Sequence, residues 1–125
     1  MASEYCDIEI TKMLLETDFP LFKIKVQNQY RPIYYTLPQE HPDWSNCDAY
    51  YIPSIYEVQK WLREKKGIII VIPPYSYDYI NETHTWTYEV WLGDNLERDA
   101  HKFHSYEEAL LEGVRASVKL LKEEK

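Results

Sequence analysis

The sequence predicts one α+β domain spanning residues 1–125, with three or four mostly antiparallel strands packed against three helices in the order α-β-(β)-α-β-β-α. Two observations carry most of that prediction. Ser54-Ile55-Tyr56-Glu57 and Ser105-Tyr106-Glu107-Glu108 both read as capping boxes. In such a box the serine hydroxyl accepts from an orphan amide, and the glutamate three residues on reaches back to the serine's own N–H. Between the boxes lie an unbroken β-branched run, Ile68-Ile69-Ile70-Val71-Ile72, and an alternating aromatic stretch, Thr85 to Leu92. The length agrees, since 125 residues is an ordinary single-domain size that buries roughly two-thirds of the unfolded chain's surface.

At the N-terminal end, Asp7 is placed to cap a helix running to about Thr17. Ile10, Met13 and Leu14 share one face of it, with Ile8 and Leu15 on the neighbouring one. Phe19-Pro20 ends it, because a residue before proline is pushed out of the helical region. Phe22-Lys23-Ile24-Lys25-Val26 alternates apolar and basic, as a half-buried strand does. Gln27-Asn28-Gln29 then turns into a second strand over 30–37, which Pro32 restricts to an edge or a bulge. Pro38 to Pro53 has no sustained period and reads as a connecting loop, with Trp44 folded back on the core.

From Ser54 a helix presents Ile55, Val58, Trp61 and Leu62 on one side and Lys60, Arg63 and Glu64 on the other. Gly67 is suited to the left-handed position after its end, and Lys65 and Lys66 complement the negative pole of the dipole. The five β-branched residues that follow predict a strand covered on both faces, hence a central one. Pro73-Pro74 stops it. Tyr75 to His84 reads as a polar, tyrosine-rich connection. Thr85 to Leu92 returns as its hairpin partner, with Trp86, Tyr88, Val90 and Leu92 on one face and Thr85, Thr87, Glu89 and Trp91 on the other. After a turn at Gly93-Asp94-Asn95, the last helix carries a stripe of Tyr106, Leu110, Val114, Val118 and Leu121. Gly113 inside it costs ~1 kcal/mol relative to alanine, and a glycine on the stripe side marks close approach of a neighbouring element.

The composition is that of a globular chain, 45% hydrophobic and 28% charged, with an excess of aromatics that includes twelve tyrosines and four tryptophans. The net charge is −7, divided as −4 over residues 1–53, +2 over 54–66 and −5 over 67–125. An acidic chain is repelled by phosphate backbones and anionic membranes unless its cations cluster, and here only the first capped helix is locally basic. No apolar run is long enough to span a bilayer, and Met1 to Asp7 lacks the features of a secretion signal. A cytosolic location is expected, with Cys6 and Cys47 as reduced thiols. In that setting Asn81-Glu82-Thr83 is a glycosylation sequon in form only.

Motifs for chemistry are sparse. Asp99-Ala100-His101-Lys102-Phe103-His104 contains an H-x-x-H without the paired cysteines or helical glutamate that zinc sites use, so solvated histidines are expected and no metal. With glycines only at 67, 93 and 113, neither a P-loop nor a dinucleotide fingerprint can be written, and no nucleophile elbow is present. No cofactor and no catalytic residue are therefore assigned.

Two features invite a functional reading. Tyr75, Tyr77 and Tyr79, with Tyr50 and Tyr51 before the first capped helix, supply the large, low-entropy contact area typical of protein interfaces. A strand edge whose alternate tyrosines cover the core would explain them as well. Lys60, Arg63 and Lys66 form a basic helix face ahead of a hairpin, an order that resembles a winged helix reading the major groove. Dipole complementation accounts for the same lysines, no separate second helix is visible, and Asp78 and Glu82 make the wing-like segment acidic.

Residues 52–68, containing Ser54-Ile55-Tyr56-Glu57 and Trp61-Leu62-Arg63-Glu64-Lys65, and residues 103–114, containing Ser105-Tyr106-Glu107-Glu108-Ala109, resemble a group of small uncharacterised proteins. These occur in Bacteroides-type bacteria, their phages and mobile elements. Ile8 to Phe19 is similar more loosely. The resemblance implies a bacterial cytosolic or phage-related context and brings no activity, cofactor or catalytic residue with it. The expectation is a non-catalytic binding or accessory protein acting by protein contact. Its partner is an unidentified protein or a second copy of the chain, with the winged-helix DNA binder as the alternative and no membrane partner.

Overall fold

The computed structural model describes residues 4–21, 33–36, 48–98 and 102–123. Over these residues the chain is α+β, with element order α1 (Ile8–Leu15), β1 (Ile33–Thr36), β2 (Asp48–Tyr51), α2 (Ile55–Lys65), β3 (Ile68–Val71), β4 (Pro74–Asp78), β5 (Thr83–Trp86), β6 (Glu89–Leu92), β7 (Asn95–Arg98) and α3 (Tyr106–Glu123). The pairings β1 with β2, β3 with β6, β4 with β5 and β6 with β7 are all antiparallel.

The helix ends follow local chemistry. Asp7 accepts from the Ile10 N–H at 2.9 Å, Ser54 Oγ from Glu57 N–H at 3.0 Å, and Ser105 Oγ from Glu108 N–H at 3.1 Å, so each side chain satisfies an orphan amide of its helix. The return bond at the last helix differs from expectation. Glu108 Oε2 accepts from His104 N–H, one residue ahead of the cap. Gly67 has φ +68°, the left-handed conformation expected after the end of α2. The helix α1 stops at Leu15, two residues short of Thr17, where Thr17 Oγ1 donates to the Leu14 carbonyl.

Three helices and one side of the β3-β6-β7 sheet enclose the core. Ile10 and Leu14 of α1, Ile55, Val58 and Leu62 of α2, and Leu110, Val114 and Val118 of α3 are fully buried with Ile68 and Val90. Gly113 is where α3 meets the sheet: a Cβ there would lie 2.9 Å from Ile70 Cγ2 and 3.4 Å from Tyr88 Cβ. Helix α1 joins this same core through Cys6, Ile10, Met13 and Leu14 and does not cover the opposite face of the sheet. Its leading strand-like segment is pinned to α2, with Cys6 N–H donating to Pro53 O and Ile55 N–H to Glu4 O.

Five expectations need correction. The described residues hold seven strands in three sheets, where three or four strands were expected. Among the described residues the β-branched run is an edge strand, because β6 lies between β3 and β7. Its burial alternates, with Ile68, Ile70 and Ile72 inside and Ile69 (48%) and Val71 (40%) exposed. The stretch Thr85 to Leu92 is two strands separated by Thr87-Tyr88. Tyr75 to Asp78, read as connection, forms β4, and Asp48–Tyr51, read as loop, forms β2 against β1. The expected strand Phe22 to Val26, Trp44 and His101 lie outside the described residues.

Candidate functional site

One face of the long hairpin changes role along its length. Along β6, the Thr87-Tyr88 link and β5, the residues Val90, Tyr88, Trp86 and His84 fall at every second position on the side that faces α3. Val90 is fully buried, Tyr88 packs against Gly113, and Trp86 meets the ring of Tyr106 at 5.5 Å. Past Trp86 the helix layer ends and the same face runs on uncovered. The His84 ring lies tilted 5.7 Å from Trp86, Tyr77 lies 4.7 Å from His84, and Tyr79 meets Tyr77 edge-on at 4.8 Å. The core face of the sheet thus continues outward as an aromatic ladder on an arm made of β4 and β5. Aromatic contacts of this kind, one edge-to-face and two tilted, favour the rings' mutual arrangement by roughly 0.5–1.5 kcal/mol each.

The other face of the arm is polar. Ser76 Oγ and Thr85 Oγ1 are 2.6 Å apart, and Asp78 stands opposite Thr83. A bulge between Pro74 and Ser76 takes Tyr75 out of the simple alternation. The Tyr75 ring lies 5.2 Å from Lys102 Nζ, within cation–π range. Phe103 extends the base of the arm by exchanging both backbone hydrogen bonds with Trp86, at 2.8 and 2.9 Å.

At the tip, Asp78 organises the turn. Its carboxylate accepts from Ile80 N–H at 2.9 Å, Asn81 N–H at 3.3 Å and Asn81 Nδ2 at 2.7 Å. These bonds, the Asn81 side chain foremost, hold its pKa below the ordinary aspartate value. Glu82 takes the left-handed conformation, φ +54°, to close the turn. The result presents large apolar groups to solvent: Tyr75 is 48% exposed, Tyr77 38%, Tyr79 84% and Ile80 92%.

Tyr75, Tyr77 and Tyr79 are therefore brought together on one arm, whereas Tyr50 and Tyr51 lie half-buried in the separate β1-β2 sheet. His84 and Trp86 belong to the same ladder and Ile80 projects from the turn at its end, and none of the three was named as a contact candidate from the sequence. The available signal was the alternation of residues 84 to 92, which continues one position beyond the stretch read as a strand.

On α2, Lys60 and Arg63 are exposed, while Lys66 pairs with Asp18 at 2.9 Å and lies 5.4 Å from the Trp61 ring. Lys60 and Lys65 share the rim of an open groove of about 400 Å³ with Glu57 and Glu64, over a floor of Phe19, Pro20 and Trp61. The basic face is thus interleaved with carboxylates. Cys6 is 5% exposed, and burial followed by the charge of Asp7 pushes its thiol pKa up to about 12. Among the described residues no three His, Cys, Asp or Glu side chains converge to hold a metal ion, and no helix is long and apolar enough to cross a membrane.

No protein-family model matches the chain, and no solved structure matches it. Over 65 residues, 52% of its length, it is 28% identical to an uncharacterized NAD(P)H oxidoreductase, YcaK, of Escherichia coli (strain K12). The match covers 33% of that protein, so the chain spans about a third of the length of this curated relative.

Proposed function

We propose that this chain is a small, non-catalytic binding or accessory module that engages a protein partner through the aromatic face of the β4-β5 arm. The observation that supports this most is the continuity of the core face onto an uncovered arm, with Tyr77, Tyr79 and His84 exposed and already ordered against one another. Rings fixed before contact lose little freedom on binding, which is how tyrosine-rich surfaces gain affinity. The polar opposite face lets the arm stand in water without a second cover. A cytoplasmic setting, bacterial or phage-borne, goes with this reading through the likeness of the two capped helices to the Bacteroides-type group.

The test is substitution on both candidate faces. Tyr75→Ser, Tyr77→Ser and Tyr79→Ser are compared with Lys60→Glu and Arg63→Glu in pull-downs with and without nuclease. The proposal expects a nuclease-resistant protein to be lost with the tyrosines and kept with the charge reversals. The opposite pattern would support the winged-helix alternative. The partial likeness to an oxidoreductase calls for a separate check, and titration with NADPH is expected to leave the coenzyme fluorescence unchanged.

A further inference from the structure

We infer that the arm's tip, Tyr79-Ile80, is the anchor of the contact and that its occupant is an apolar pocket rimmed by lysine and arginine on a different protein. This rests on reading the arm as a protein-contact surface and adds where the contact is centred and what it meets. Tyr79 and Ile80 are the most exposed large apolar residues described, 84% and 92%. They are adjacent at the end of a turn held by three hydrogen bonds to Asp78. A rigid apolar projection of this kind fits a concave site, since interface energy concentrates in anchors that fill pockets and exclude water.

Charge selects among the occupants. From Gly67 through Glu97 the chain has no lysine or arginine and five carboxylates, Asp78, Glu82, Glu89, Asp94 and Glu97, while Lys102 lies over Tyr75 at the base of the arm and not at its tip. Two of them flank the tip. Asp78 is ionised across the physiological range as an ordinary aspartate is, and its hydrogen bonds lower its pKa further. Phosphate backbones and anionic leaflets are repelled by such a segment, and so is the same segment of a second copy. A cationic rim around an apolar pocket is the complement that both features share.

The experiment places p-benzoylphenylalanine at Tyr79 in the full chain and irradiates it in a bacterial lysate, with the cross-linked peptides mapped. The inference expects a peptide of another protein in which apolar residues are flanked by lysine or arginine. Capture of that protein should fall by roughly tenfold or more in the Tyr79→Ser, Ile80→Ser double variant. It should also weaken with Glu82→Lys and as salt rises from about 0.1 M to about 1 M. A cross-link to the chain itself, to lipid, to nucleic acid or to a surface lacking cations overturns it, as does the absence of any cross-link. If Tyr75→Ser with Tyr77→Ser abolishes capture while the tip variant keeps it, the tip inference fails and the protein-contact reading stands. If none of these substitutions alters capture, both fail. The tip residues are solvent-exposed, and far-UV circular dichroism verifies that each variant folds.

Discussion

The guanidinium of Arg115, on the last helix, closes on the carboxylate of Asp7, the cap of the first, across 108 positions of sequence. Arg115 also bonds Glu9 at 3.0 Å and Glu112 at 3.1 Å, and its side chain is only 17% exposed. Asp7 thereby does two things at once, capping α1 and tying it to α3.

Asp7→Ala should destabilise the chain by about 1–2 kcal/mol in urea unfolding, from the lost cap and a weakened Arg115 pairing. Asp7→Asn keeps an accepting oxygen for the Ile10 amide and should cost less. Arg115→Met should cost more than Asp7→Asn, because Asp7 and Glu112 lose the guanidinium they share and Glu9 keeps, among the described residues, only Lys119, at 4.0 Å. Equal losses in these two variants would contradict this account of the cluster.

Gly113→Ala tests how closely α3 lies on the sheet. Alanine gains ~1 kcal/mol in helix propensity. Its Cβ would stand 2.9 Å from Ile70 Cγ2, a methyl group in the packed core. Overpacking of that kind costs roughly 1–3 kcal/mol, so the expected net change is a loss of about 1 kcal/mol, read as a lower denaturation midpoint.

This close approach was legible in the sequence, as were the caps at Asp7, Ser54 and Ser105 and the left-handed Gly67. All of these depend on local geometry that few residue types satisfy. The order of strands was not legible. A β-branched run was read as central, yet β3 buries alternate residues and β6, with Glu89 and Trp91 in it, takes the middle. The strand β7, Asn95–Arg98, has no β-branched residue to announce it and follows from its antiparallel pairing with β6. The arm was read first as a connection and in the alternative as a strand edge covering the core, and its exposure was missed for a related reason. The strand Pro74–Asp78 is exposed at every position, so beyond the bulge at Tyr75 its alternation sets Tyr77 against Ser76 and Asp78 and does not separate buried from exposed. Pro73-Pro74 does end the β-branched strand, since β3 stops at Val71, and the bond from Thr87 N–H to Pro73 O links that end to the arm that follows.

Burial gives Cys6 a pH signature. With its pKa pushed up to about 12, the folded state favours the neutral thiol. That contribution is intact below the free-thiol range near 8.5 and is lost as pH rises from there toward 12. In a Cys47→Ser chain, iodoacetamide at about pH 8 should label Cys6 only upon unfolding, since the thiolate is the reactive form. Rapid labelling of the native protein would contradict the burial.

The Asp78 turn has the opposite sign. Its pKa is depressed, by the Asn81 side chain first and then by the amides of Ile80 and Asn81. The turn's order is therefore present above the ordinary aspartate range near 3.9 and is lost as pH falls through the lower folded value. Amide resonances of Ile80 and Asn81 should shift in that acid window, and Asp78→Ala should abolish the response. A transition at or above the ordinary range would contradict the hydrogen-bonded turn.

The claim that the β4-β5 arm is the working surface is tested most directly by hydrogen–deuterium exchange on the chain alone and in complex with the protein it captures. Protection is expected over residues 75–86, with residues 55–66 of α2 unchanged. Protection over 55–66 with the arm exchanging freely would contradict the account and place the working surface on the helix carrying Lys60 and Arg63.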